Sequence, residues 1–148
     1  YVLGLGDRHN DNLMMTKFAH FFHIDFGHIL GNFKSKMGVK RERAPFVFTY
    51  AMRAVMDDEQ FEKFKDLCCM AYNILRQNAS ILVSLVSLAI PCELPELRSE
   101  QDVVWIYEKL QVDMTEEEAA QHFRATIEEA LQTRTTRFND VAHMLAHA

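Results

Sequence analysis

Two short stretches of the chain concentrate side chains that bind cations and move protons. Gly6 to Asn12 reads GDRHNDN and His23 to His28 reads HIDFGH, which brings Asp7, Arg8, His9, Asn12 and Asp25 close together in sequence. Carboxylate and amide oxygens are hard donors suited to a magnesium-type ion, which needs few protein ligands because it keeps several waters. An imidazole titrates near neutrality, and in its neutral form it accepts a proton from an attacking hydroxyl. His9 is therefore a candidate base; Asp7 is another, or it orients Arg8 and His9. The apolar runs 12–16 and 21–25, separated by Lys17 to His20, have the spacing of a β-hairpin with a four-residue loop. In a regular hairpin of that kind Asn12 faces Asp25, so an amide oxygen and a carboxylate come within reach of one ion.

Other metal chemistries fit these residues poorly. Asp7, His9 and Asp11 start an alternation like that of a calcium loop, but the glycine of the sharp turn is missing and Phe18 stands where a bidentate glutamate belongs. His20, His23 and His28 lack the helical spacing usual for zinc, and packing or hydrogen bonding is the expected duty of His23 and His28.

The elements that must hold these groups follow from the rest of the pattern. Residues 26–49 carry three glycines and a proline without sustained periodicity and read as a long loop. Within it Lys34, Lys36, Lys40, Arg41 and Arg43 against Glu42 give a local charge of +4, which calls for an anionic partner. Beyond residue 50 the pattern turns helical. Phe61, Phe64, Leu67, Cys68, Ala71, Ile74 and Leu75 predict an amphipathic helix over 60–77. The run 79–90 predicts a more buried helix ended by Pro91, too short to span a bilayer. Ser99 with Asp102 and Thr115 with Glu118 form capping-box pairs that open helices over Val103, Val104, Tyr107 and Leu110, and over Ala119, Phe123, Ile127 and Leu131. Residues 136–147 predict a last short helix. Between Glu93 and Glu129 eleven acidic residues meet three basic ones, which reads as solvated helix faces. Trp105 and the methionines are assigned to packing or partner contact. The expected class is α+β, mainly helical, with a short hairpin carrying the candidate site.

Asp-Phe-Gly after a short strand is where protein kinases hold magnesium, and here Asp25, Phe26 and Gly27 follow one. DRHNDN followed by HIDFGHILG resembles the phosphatidylinositol 3- and 4-kinase superfamily, with the order Asp-Arg-His in place of the protein kinases' His-Arg-Asp. GNFKSKMGVKRERAPFVFT is similar to the activation loop of class I phosphoinositide 3-kinases. The resemblance implies the C-terminal lobe of a protein-kinase-like fold: a single partial domain with the catalytic loop in 1–12, the activation loop in 25–49, led by Phe26 and Gly27, and helices over 50–148. It implies catalytic roles for Asp7, Arg8 and His9, with His9 the favoured base, Mg2+ or Mn2+ on Asn12 and Asp25, and ATP as co-substrate. Lys34, Lys36, Lys40, Arg41 and Arg43 would face the lipid's ring phosphates. The implied activity is transfer of the ATP γ-phosphate to the 3-hydroxyl of a phosphoinositide, the 4,5-bisphosphate first. Such chemistry is mostly positioning and charge stabilisation. Alternatives are a phosphatidylinositol 4-kinase, a related protein kinase, or a non-catalytic helical interaction module.

Composition bounds these readings. With 148 residues, 49% of them apolar and 25% charged, the chain fits one folded domain rather than a disordered or disulfide-dense one. A net charge of −5 argues against nucleic acid as a partner. Three cysteines, two of them adjacent, suggest a reducing compartment. The chain opens on Tyr1 and carries no Gly-rich phosphate loop or strand lysine, so the expectation is a fragment lacking the N-lobe and inactive alone, from a cytoplasmic enzyme recruited to a membrane. A regulatory subunit is a possible partner.

Overall fold

The computed structural model describes residues 1–32, 35–36, 39–40 and 44–133. It is mainly helical, with two small antiparallel strand pairs. The segment 1–12 ends in a 3-10 turn at Asn10–Asn12, followed by β1 (Leu13–Met15) and β2 (Phe21–His23). A two-residue pair, β3 (Ser35–Lys36) and β4 (Val39–Lys40), interrupts the stretch that sequence alone reads as loop. Then come α1 (Tyr50–Ala54), α2 (Asp58–Gln77), α3 (Ala79–Ser87), α4 (Glu100–Leu110) and α5 (Glu116–Gln132). The predicted helix over 136–147 lies outside the described residues.

Turn chemistry sets a hairpin register different from the expected one. Leu13 pairs with His23 and Met15 with Phe21, so Asn12 falls opposite Ile24, whose N–H donates to the Asn12 carbonyl at 3.1 Å, and not opposite Asp25. The reason is a three-residue loop, Lys17 to Ala19, in place of four residues. Ala19 takes the left-handed conformation at φ 60°, as the last position of such loops does, and the Thr16 hydroxyl accepts from the N–H groups of Phe18 and His20.

Capping explains where the helices begin. Asp57 with Gln60, Ser99 with Asp102 and Thr115 with Glu118 each form a reciprocal capping box; the first extends α2 back to Asp58. Backbone N–H donation from Arg98, with the N–H and hydroxyl of Ser99, holds the Asp102 carboxyl below its ordinary 3.8, and Thr115 does the same to Glu118 from 4.5. Acids depressed in the folded state stabilise it above their unfolded values and lose that contribution as pH falls through the folded values. Urea midpoints of the parent and an Asp102→Asn, Glu118→Gln double variant should therefore differ at neutral pH and converge as the pH falls through the folded-state values of the two carboxyls.

The buried face of α2 is offset from the predicted one. Phe61, Lys65, Cys69, Tyr72 and Arg76 point inward, while Leu67, Ala71, Ile74 and Leu75 are exposed. Two cations sit in that buried stripe with their charges met: Lys65 bonds Glu62 and Glu128, and Arg76 donates to the carbonyls of Leu110, Gln111 and Met114, tying α2 to the α4–α5 turn. Burial pushes the Tyr72 phenol up to about 12, and its hydroxyl donates to the Lys109 carbonyl at 2.6 Å.

On α4 the buried positions are Val103, Ile106 and Leu110, with Val104 and Tyr107 exposed. On α5 they are Ala119, Thr126, Ile127 and Ala130. The α3 segment is less buried than expected: only Ala79 is fully inside, and Ile81, Leu85 and Leu88 are exposed. It ends at Ser87, and Pro91 belongs to a separate 3-10 turn. No single helix among the described residues is long and apolar enough to cross a membrane.

The N-terminal segment is bolted onto this helical base. Gly6 N–H donates to His28 at 2.8 Å and Leu30 N–H to Leu3 at 2.9 Å, pairing 3–6 with 28–30. Gly4 (φ 54°) and Gly31 (φ 79°) lie against the Trp105 ring, and a Cβ on Gly31 would stand 2.5 Å from it. Gly31→Ala combines a left-handed backbone with overlap against a ring, and should cost about 2–4 kcal/mol in denaturant unfolding.

Candidate active site

Asp7, Arg8, His9 and Asn12 lie on one turn of chain, and Asp25 enters from the end of β2. The backbone is shaped for this: Asp7 (φ 53°) and Asp25 (φ 58°) are both left-handed, a conformation short polar side chains tolerate best after glycine. In the Asp-Phe-Gly segment the left-handed residue is Asp25 itself and not Gly27, which instead donates its N–H to Asp25 Oδ1 at 3.2 Å. Asp25 and Phe26 are exposed.

Arg8 is the centre of the arrangement. Its buried guanidinium donates to the carbonyls of Gly6 and Ile24 at 2.6 Å each, to Asn12 at 3.4 Å, and to Asp25. A planar, permanently charged fork with five donors suits this task, since one side chain crosses from the 6–12 loop to the 24–25 segment. Sequence alone groups Arg8 with the catalytic residues; here its guanidinium is committed to backbone carbonyls of both segments.

His9 sits between two carboxylates, with Nε2 3.9 Å from Asp7 Oδ2 and Nδ1 3.9 Å from Asp11 Oδ2. The Asn12 amide nitrogen lies 3.1 Å from Nε2 and donates to the Asp7 carbonyl at 2.8 Å. Donation to Nε2 is met by the tautomer carrying its hydrogen on Nδ1, on the Asp11 side. With the amide nitrogen committed, Asn12 Oδ1 is the end that can meet a cation.

Donor chemistry tests the fit of a metal. Asn12 Oδ1 and the Asp25 carboxylate are both hard oxygens; Asn12 is buried and Asp25 is exposed, so one of the two is held in place and the other is open to solvent. Among the described residues no group of three or more His, Cys, Asp or Glu side chains is arranged to hold a metal ion. Two protein oxygens completed by water and phosphate match a magnesium-type ion.

Beside this cluster a cleft of about 140 Å³ is lined by Arg8, Leu13, Phe21, His23, Phe46 and Met52. The Nδ1 atom of His23 is buried there without a hydrogen-bond partner, and burial together with the charge of Arg8 lowers its pKa. His28 Nδ1 lies 3.0 Å from the Asn32 carbonyl. Of the basic loop, Lys36 and Lys40 are described by their strands alone; Lys34, Arg41 and Arg43 lie outside the described residues.

Sequence reasoning missed the support beneath the site. Gly4, Gly31 and Trp105 carry no chemistry, and their only signal was two glycines flanking the candidate loops with nothing to say what they touch.

Residues 1–99 match the family described as phosphatidylinositol 3- and 4-kinase. The chain is 49% identical to phosphatidylinositol 3-kinase 1 of Dictyostelium discoideum over 151 residues, covering 100% of this chain and 10% of that protein. It is 41% identical to the human phosphatidylinositol 3-kinase C2 domain-containing subunit gamma (99% of this chain, 10% of that protein). It is 44% identical to the phosphatidylinositol 4-phosphate 3-kinase C2 domain-containing subunit alpha of Pongo abelii (99% and 9%). The chain thus spans about a tenth of the length of these curated relatives.

Proposed function

The chain belongs to the phosphatidylinositol 3- and 4-kinase family, and from that premise we propose that it is the catalytic C-lobe segment of a lipid kinase that transfers the γ-phosphate of ATP to the 3-hydroxyl of a phosphoinositide. The observation that carries this is the Arg8 bridge, which joins the loop holding Asp7, His9 and Asn12 to the segment holding Asp25. Domain limits follow the same reading: catalytic loop in 1–12, activation loop in 25–49, helices beyond 50, with the N-lobe supplied by other parts of a longer chain.

Each residue has a physical task. His9, through Nε2 once the incoming hydroxyl displaces the Asn12 amide from it, or Asp7 beside it, accepts the proton of the attacking inositol hydroxyl. Asn12 and Asp25 would hold Mg2+ or Mn2+; bound there, such an ion neutralises charge on the ATP phosphates. Arg8 keeps base and metal ligands at a fixed separation, which matters because this chemistry is dominated by positioning. The exposed apolar side chains of Met14 and Phe22 on the hairpin offer a platform for a flat base.

Lys34, Lys36, Lys40, Arg41 and Arg43 are assigned to the ring phosphates, because lysine supplies point charge and arginine bidentate contacts. That charge favours phosphatidylinositol 4,5-bisphosphate as substrate. A second reading, the 4-monophosphate, is favoured by the relative whose name specifies phosphatidylinositol 4-phosphate. The enzyme would work from the cytoplasm at an anionic membrane surface, with a regulatory subunit as a possible partner, and residues 1–148 alone would have little turnover.

The test is transfer from labelled ATP by the full-length kinase to phosphatidylinositol, its 4-phosphate and its 4,5-bisphosphate. A 3-phosphorylated product made fastest from the bisphosphate supports the first reading, and preference for the monophosphate supports the second. Labelling of protein alone removes both.

A further inference from the structure

Trp105 stands on α4, more than ninety residues from the catalytic loop in sequence, yet it forms the surface on which both halves of the site rest. An added Cβ on Gly4 would stand 2.8 Å from the indole, and one on Gly31 2.5 Å, so two bare backbones press on one ring. Gly4 precedes the loop of Asp7, His9 and Asn12, and Gly31 follows the segment of Asp25. The two glycines also touch each other, since a Gly4 Cβ would lie 2.9 Å from the Gly31 nitrogen. The indole N–H donates to the Val2 carbonyl at 3.1 Å, and the Lys109 ammonium lies 4.5 Å from the ring centroid on the same helix.

We propose that Trp105 is a positioning residue for phosphoryl transfer: its ring fixes the seating of the Gly4 and Gly31 backbones, and thereby the separation of the proton acceptor from the metal ligands. The proposal rests on the kinase reading above and adds a helix far along the chain to the machinery. The physical argument is stiffness. A large planar side chain anchored at its N–H has few alternative positions, and the two backbones, tied to each other by the Gly6 to His28 and Leu30 to Leu3 bonds and to the indole through Val2, can shift on it only by breaking the indole bond or overlapping the ring. Displacements of about 1 Å in such assemblies cost about a hundredfold in rate.

The experiment compares Trp105→Ala, Trp105→Phe and Leu110→Ala in the full-length kinase. Leu110 lies on the same helix, is fully buried, and is not among the atoms nearest either glycine, so its truncation controls for lost core packing. In Trp105→Ala, kcat should fall at least tenfold with the lipid KM within twofold, and hydrogen exchange should rise in peptides covering 3–6 and 28–31. Trp105→Phe should recover most of the rate, and Leu110→Ala should lower the unfolding temperature while kcat stays within twofold. Equal kcat losses in Trp105→Ala and Leu110→Ala, or unchanged exchange at 3–6 and 28–31 in Trp105→Ala, would overturn the proposal. If the unmodified kinase phosphorylates no lipid, the functional reading fails, and the exchange comparison still decides whether Trp105 seats the two segments.

Discussion

Asp25→Ala in the full-length kinase should lower lipid phosphorylation about a thousandfold or more at saturating ATP, because it removes the carboxylate proposed to hold a metal ion at the phosphates; that is about 4 kcal/mol of barrier. Asp25→Asn gives nearly the same loss and is the sharper variant. Asparagine keeps the left-handed backbone at φ 58° and an oxygen for the Gly27 N–H, so only the charge is deleted. Asp25→Asn should leave the unfolding temperature nearly unchanged, whereas Asp25→Ala, which puts alanine in a left-handed backbone and removes the acceptor of the Gly27 N–H, should lower it modestly. Stabilisation by Mg2+ with ATP, expected of the unmodified enzyme, should shrink in both. Full activity in Asp25→Asn would show that the metal is held elsewhere.

The second large effect separates the two candidate bases. His9→Ala should lower kcat about 10²–10⁴-fold if the imidazole takes the inositol proton, and the acidic limb of the pH profile of kcat/KM should vanish with it. Asp7→Asn should then cost less and leave that limb in place, because the Asp7 carboxylate, 3.9 Å from Nε2, is in that case a neighbouring charge and not the proton acceptor. The opposite pattern assigns the proton to Asp7. Both side chains are about a quarter exposed, so either substitution should be tolerated by the fold.

How far the sequence could be read depended on the range of the interactions involved. Capping boxes at Ser99 and Thr115 were legible because both partners lie three residues apart. That Asp7, His9 and Asn12 lie together on the turn leading into the hairpin was legible for the same reason. The hairpin register was not, since the choice between a three- and a four-residue loop rested on Ala19 accepting a left-handed conformation that its type disfavours. On α2 the apolar periodicity pointed to Ile74 and Leu75, but the core took Lys65 and Arg76. A pattern built on hydrophobicity cannot register a cation whose partners, Glu128 or the carbonyls of 110–114, lie on another helix. Trp105 was illegible as a functional residue because its contacts are with residues near position 1.

The same indole carries a consequence for the order in which the molecule assembles. The metal-ligand hairpin closes over a handful of residues and can form almost as soon as it is synthesised, whereas the bond from Trp105 to Val2 spans 103 positions and waits for α4. On a ribosome adding about 5–20 residues per second, the first twelve residues and the Asp25 segment therefore remain unseated for several seconds after they emerge. The turn at the start of this segment is seated by a residue from its later half, so a nascent chain stopped before α4 carries Asp7, His9 and Asp25 without the ring on which Gly4 and Gly31 pack.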